Sequence, residues 1–407
     1  MKKFLAILMA LVMVLSLVAC GGNTASEGNA VSDGNTASAG NTASAGESAE
    51  VDPLKIVYCA YTLSHEYGDR FKQLSEIVAE KINAAGGING APVEFVLIDG
   101  GSDQQGYIDG LLKAVEVEGA DAIIGSFWSQ YALACVDYVN EAQIPVFNII
   151  TNYQCGQASE YYYTNRCVDT AYSNVMAQVA IDNGCKNPVS VFFNSSAGYQ
   201  DAEFMANYLK NAGCSSAGEV TFDMANTTDY TPIVLQAMNT EGADGILLQA
   251  SAGADGQAII QLLHQYDYQY PIISNCNVFS ATFVQNCGVE NCVGLVGFTE
   301  YADTLDRPEV DAFRTMTLDS GKFSYDTVSW IDASYYDIIC LIAEAAKLAG
   351  VNTKEAIQDS LKEIEGYKGV MTDYSYHEDR SFADYIYLAE IVEDGTVVVS
   401  DPLEVTH

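Results

Sequence analysis

Short apolar runs and helix-patterned stretches alternate along this chain of 407 residues, and the series is run twice. Lys55-Ile56-Val57-Tyr58 reads as a strand. Phe71, Leu74, Ile77, Val78 and Ile82 then recur on one helical face, and Gly86-Gly87 supplies the left-handed residue that ends such a helix. Residues 93–98, 122–125 and 144–150 read as further strands, with helices over 107–118 and 129–142. A strand–helix–strand repeat packs back on itself as a parallel sheet with helices on both faces. The series restarts with helices over 172–183, 200–212, 231–240 and 256–266, separated by strands at 189–193, 219–222, 245–249 and 272–274. Near residues 297–301 the pattern changes to a long apolar helix at 334–349, a short helix at 353–364, and strands at 385–392 and 396–399 around Asp394-Gly395. The expected fold is α/β, with two doubly wound parallel-sheet lobes. Ligands of open α/β sheets bind at the carboxyl ends of the strands, so two facing sheets create one cleft.

The first fifty residues are of another kind. Lys2 and Lys3 precede an apolar run over residues 4–19, which is shorter than the roughly 20 residues a stable span needs. Cys20 follows, and the chain turns small and polar; the junction resembles the lipobox of a bacterial lipoprotein precursor. The resemblance implies a signal peptide over 1–19, lipid on Cys20, and an extracytoplasmic protein anchored to a membrane, of the Gram-positive type. Residues 20–52 read as a linker, since Gly-Asn-Thr-Ala-Ser occurs at Gly22, Gly34 and Gly40 and such a segment has nothing to bury.

Composition excludes several functions. A net charge of −36 argues against nucleic acid and anionic lipid as partners. Ten cysteines remain besides Cys20, none in a Cys-x-x-Cys pair, and four histidines accompany them, so no metal site is expected. Outside the cell disulfides are open to Cys185 with Cys214 and to Cys287 with Cys292, or the thiols serve as small buried hydrophobes. The sequence has no phosphate loop, His-Glu-x-x-His helix or Gly-x-Ser-x-Gly elbow, so no enzyme and no cofactor is expected.

Ile82-Asn83-Ala84-Ala85-Gly86-Gly87-Ile88-Asn89-Gly90 carries a family likeness. So do Tyr67-Gly68, Asp99 with Ser102-Asp103, the run from Gly119 to Gly125, Ile144-Pro145-Val146, Thr151-Asn152, Tyr335-Tyr336-Asp337, the run from Ala345 to Gly350, and Gly366-Tyr367-Lys368-Gly369. In this order the set resembles the branched-chain amino acid (Leu/Ile/Val) binding proteins, the type I solute-binding proteins of ABC importers. The resemblance implies a monomeric Venus-flytrap that hands a small ligand to a permease. It implies three crossover hinge strands, near residues 168–170, 298–301 and 374–382. One lobe then comprises 53–168 and 301–376, the other 169–300 and 377–407.

The same likeness marks the site. In the loop after the third strand, Ser129 would grip a ligand carboxylate or simply cap the following helix, while Phe127 and Trp128 replace the family's small residues and would wall the pocket or fill the core. Thr151 matches the position that contacts the ligand's amino group, and Ile149 stands where a small residue is usual. Tyr199 matches the tyrosine that covers the ligand, with Gln200 in place of a glycine. Asp255, with Ser251, lies near the acid that pairs with the ligand ammonium, one position out of register, and also fits a plain helix-start acid. Asn277 and Tyr67 complete the rim. The expected ligand is an amino acid or an amino-acid-like amide, aromatic ones included. A sensory binder of the same fold and, further off, a secreted hydrolase are the alternatives.

Overall fold

Strand β1 (Leu54–Tyr58) is an interior strand of the first sheet, with side chains buried on both faces. Its neighbours are β2 (Val93–Leu97) and β3 (Ala122–Ile124), followed outward by β4 (Val146–Phe147) and β5 (Tyr162–Tyr163), in the order β2-β1-β3-β4-β5. Every pairing is parallel. This computed structural model describes residues 51–59, 62–101, 103–223, 226–251 and 253–407. The signal segment, Cys20, the linker through residue 50, and Ser102 lie outside them.

Helix α1 (Glu66–Ala84) packs Phe71, Leu74, Ile77 and Val78 against this sheet. His65 Nδ1 accepts the Tyr67 N–H at 3.2 Å and starts the helix. Gly86 and Gly87 stop it at φ 104° and 74°, and a Cβ on Gly87 would lie 1.9 Å from the Ala91 carbonyl oxygen. Helix α2 (Gln104–Glu116) begins on Asp103, whose carboxylate accepts the Gly106 N–H. The single helix expected over 129–142 is two, α3 (Ser129–Ala134) and α4 (Val136–Ala142), broken at Cys135. The strand expected over 144–150 pairs only at Val146–Phe147. Beyond it the chain leaves the sheet to form the cleft loop and α5 (Tyr153–Ala158).

The second sheet contains β6 (Val189–Phe193), β7 (Gly218–Phe222), β8 (Ile246–Gln249), β9 (Ile272–Ser274) and β10 (Val296–Thr299), which are parallel. After a two-stranded ribbon, β11 (Tyr367–Lys368) and β12 (Asp373–Tyr374), the chain returns as β13 (Tyr385–Ile391), β14 (Val397–Val399) and β15 (Leu403–Glu404). These last strands run antiparallel, so the sheet is mixed, in the order β14-β13-β10-β9-β8-β6-β7 with β15 on β13. No crossover helix separates them, only a turn through Gly395 at φ 83°, and a short connection of that kind joins antiparallel strands.

Helices α6 (Asp169–Asp182), α7 (Ser196–Asn211), α8 (Thr231–Met238) and α9 (Ala254–Gln265) alternate with these strands. The short α10 (Ala281–Cys287) and α11 (Val289–Cys292) precede β10. Helices α6, α7 and α9 each start two to four residues earlier than the apolar pattern indicated, because polar first turns lie at the cleft. α12 (Pro308–Leu318), α13 (Trp330–Ala349) and α14 (Lys354–Ser360) return to the first lobe. α13 starts four residues ahead of the expected 334, on a capping box formed by Ser329 and Asp332. Arg70 locks that start with bonds of 2.8 and 2.6 Å to the Asp332 carboxylate.

The chain passes between lobes after β5, after β10 and after β12. Residues 168–170, expected as a crossover strand, open α6 instead. At this joint Arg166 is 2.6 Å from the Glu300 carboxylate, and its guanidinium lies 4.3 Å over the Trp330 ring. All ten described cysteines are free thiols and eight of them are buried. The sulfurs thus serve as small apolar groups, neither of the two candidate pairs being bridged.

Candidate functional site

The strand ends of the first lobe open into two loops. In the loop after β3, Ser126 is buried and organises its neighbours: its Oγ accepts the Trp128 N–H at 2.8 Å and its N–H reaches Asn148 Oδ1 at 2.9 Å. Trp128 is the N-cap residue of α3 and its side chain caps nothing. Ser129 is therefore the first helical residue and not the cap; the Ser126 hydroxyl does the work of holding the loop. The Ser129 hydroxyl is not tied up at the helix end.

Phe127 is both packed and half-exposed. Its ring stacks at 5.8 Å and 13° on Phe71, which stacks at 4.2 Å on Tyr335, and it lies 6.1 Å from Tyr67. It belongs to an aromatic column rooted in α1 and α13, and with Tyr67 it forms one wall. Ile149 is buried and its N–H bonds the Ser126 carbonyl at 3.0 Å, which ties the two loops together. Thr151 is half-buried, and its carbonyl accepts the Asp169 N–H at 2.8 Å.

In the second lobe Tyr199 lies within the first turn of α7 and not in the preceding loop, because Ser195 caps the helix by accepting the Gly198 N–H at 3.0 Å. Tyr199 stands edge-on to Phe192 at 5.2 Å and is 45% exposed, so part of it remains open to solvent. Asp255 is buried and turned onto its own loop: its carboxylate accepts the Ser251 N–H at 2.8 Å and the Ser251 hydroxyl. Asn277 bonds the Ala250 carbonyl at 2.8 Å, and Asn275 bonds the same oxygen at 3.2 Å. Ser251, Asp255 and Asn277 are thus gathered around the end of β8, while Tyr199 stands apart on α7.

A polar cluster that sequence reasoning missed lies beside Thr151. Tyr172 donates to the Asp201 carboxylate, and Gln249 donates to it at 3.1 Å. Asp169 accepts the Thr170 N–H at 3.0 Å and the Tyr153 N–H at 3.3 Å. Among the described residues, Asp169 Oδ2, Asp201 Oδ1, Gln249 Oε1 and Asn275 Oδ1 are buried with no hydrogen-bond partner. Burial pushes the Asp201 carboxyl well above its ordinary range and that of Asp169 up to about 6. In a chain this acidic no spacing singles these residues out; only the strand ends bring them together.

The two faces touch. Asn152 donates to Gln200 at 3.0 Å, Tyr153 faces Phe204 at 6.0 Å, and the hydroxyls of Thr282 and Thr327 are 2.8 Å apart. Gln200, which replaces a family glycine, therefore has a role of its own in joining the lobes.

Two α/β lobes whose strand ends face one another across shared connections define a two-lobed small-molecule binding protein of the type I periplasmic class. The family model described as periplasmic binding protein matches residues 63–396, and the chain belongs to that family. Leu/Ile/Val-binding protein homologue 7 of Brucella abortus is 24% identical over 213 residues, 50% of this chain and 52% of the relative. The chain thus spans about half the length of the curated relatives it matches. Among solved structures, the isoleucine complex of a branched-chain amino acid transporter substrate-binding protein from Streptococcus pneumoniae is 20% identical, with a TM-score of 0.73 over 86% of this chain and 99% of that one. A solute-binding protein of R. palustris in complex with 4-hydroxybenzoate is 21% identical, with a TM-score of 0.76 over 87% and 97%. Both likenesses establish the fold.

Proposed function

We propose that this protein is the substrate-binding lipoprotein of an ABC importer. It is held outside the cytoplasm by lipid on Cys20 and acts as a monomer that delivers its ligand to a permease. Residues 53–168 with 301–376 form one jaw and 169–300 with 377–407 the other. The observation that carries this reading is the pairing of unlike faces across the lobes: an aromatic wall of Tyr67 and Phe127 on one side, and buried, unpartnered acceptor oxygens of Asp169, Asp201 and Gln249 on the other.

A ligand that satisfies both has a compact apolar or aromatic body and a hydrogen-bond-donating nitrogen. An amino acid or an amino-acid-like amide has both, and its carboxylate would meet the Ser129 hydroxyl. The isoleucine and hydroxybenzoate carried by structural neighbours bracket the size. Tyr199 would cover the ligand, with Trp128, Ile149, Thr151, Ser251, Asp255 and Asn277 shaping the pocket. The protein would bind its ligand without turning it over.

A thermal-shift screen of amino acids, their amides and small aromatic acids tests this reading, since a ligand bound only by the folded form raises its melting temperature. Amino acids or amides should give the largest shifts. Turnover of a colorimetric substrate with no stabilisation by any of these compounds would overturn it.

A further inference from the structure

A cavity of about 260 Å³ lies on the flank of the hinge, lined by none of the residues assigned to the cleft. Its lining comes from three parts of the chain. Phe279 to Ala281 precede or open α10, Tyr301 to Thr304 belong to the connection after β10, and Asp394 to Val397 form the β13–β14 turn. Val328 adds a side chain from the first lobe, next to Thr327, which meets Thr282 across the lobes.

The floor is apolar and well packed: Phe279, Tyr301, Ala302, Val328 and Val397 are all buried. The rim is acidic. Asp303 accepts the Tyr301 hydroxyl at 2.7 Å and is 3.3 Å from Arg314, so its charge is partly answered. Asp394 accepts only the groups of Thr396, with that residue's N–H at 2.9 Å, and these bonds hold its carboxyl below the usual range and keep it ionised. A carboxylate has about four acceptor positions, so most of Asp394 remains for a ligand. No lysine, arginine or histidine lines the cavity.

We infer that this flank cavity is a second binding site, for a small amine with an apolar body. Its ammonium would lie against Asp394 and Asp303, and its body against the apolar lining of the cavity. Because the walls belong to both lobes and to the chain between them, an occupant stiffens the hinge. The site would therefore tune closure without competing for the cleft.

Phenethylamine is the probe, with phenethyl alcohol as its uncharged match. Calorimetry should show the amine binding one to one and the alcohol at least tenfold more weakly. Hydrogen exchange should slow at residues 299–304 when the amine is present. Asp394→Asn keeps an acceptor for the Thr396 N–H and should weaken the amine at least tenfold with an unchanged melting temperature. Thr396→Lys, which brings a competing ammonium to the rim, should do the same. Phe127→Ala, in the cleft wall, should leave amine binding as it was. The inference is overturned if the amine does not bind, if the alcohol binds equally, if Asp394→Asn has no effect, or if Phe127→Ala abolishes binding, which would put the amine in the cleft. The Phe127→Ala and Asp394→Asn arms together separate binding of the probe in the cleft from binding at the flank.

Discussion

The two faces of the cleft are built on opposite physical terms. On the first lobe the strand-end loops are closed by their own backbone: Ser126 secures Trp128, Ile149 bonds Ser126, and the exposed element is an aromatic ring. On the second lobe Asp255 is spent on Ser251, but Asp169, Asp201 and Gln249 keep buried oxygens without donors. A buried acceptor without a partner is destabilising by roughly 1–3 kcal/mol, and such groups persist where function uses them. One face therefore offers shape, while the other holds unmet hydrogen-bonding capacity.

The largest effect expected is at the joint between these faces. Arg166→Ala leaves Glu300 buried and unpaired, and should destabilise the protein by about 3–5 kcal/mol in urea melts. A loss below about 1 kcal/mol would mean the lobes do not depend on this pair. Phe127→Ala tests the shape side. It should lower affinity for the ligand found in the screen by about tenfold or more, with a stability loss of about 1–2 kcal/mol because the ring is only half-buried. Tyr199→Ala on the opposite rim should weaken the same ligand while changing the melting temperature little; equal affinity in calorimetry would remove Tyr199 from the site.

A further test separates two serines three residues apart. Ser126→Ala loses the bond to the Trp128 N–H and should cost about 1 kcal/mol. Ser129→Ala caps nothing and should stay within about 0.5 kcal/mol while weakening ligand binding. The reverse order of stabilities would restore Ser129 as the structural residue.

The smallest effect concerns pH and belongs to the polar face. The folded-state pKa values of Asp169 and Asp201 are raised, so protonation favours the folded form. That contribution is complete below the unfolded value of about 3.9 and is lost as pH rises through the folded value, which for Asp169 is about 6. Asp201→Asn should flatten this part of the stability profile and gain on the wild type toward pH 8. Urea midpoints measured across pH would show it; parallel profiles would mean Asp201 is not the group responsible.

Much of the architecture was legible in the chain. Phe71, Leu74, Ile77 and Val78 identify the buried face of α1, and Gly86-Gly87 marks its end, because helical periodicity and left-handed glycine are local matters. Element starts were less legible. α7 and α9 begin in turns with little apolar pattern, and such a first turn has no apolar period to betray it. For the candidate site residues the structure shows packing that their motif positions did not. Phe127 and Tyr67 meet as a wall, yet Ser129 is no cap, and Asp255 faces its own loop.

By itself the sequence determined that two βα series follow one another along the chain and that the chain belongs among two-lobed binders. Those are consequences of apolar period, turn residues and motif order, all read along the chain. Only the tertiary structure decided which carboxylates matter. Tyr172, Asp201 and Gln249 come from three separate elements, α6, α7 and β8, and meet only where the folded chain brings those elements together. The same holds for the flank cavity, whose walls are 279–281, 301–304, 328 and 394–397. Burial and hydrogen-bond satisfaction are properties of such meetings, and no stretch of chain carries them alone.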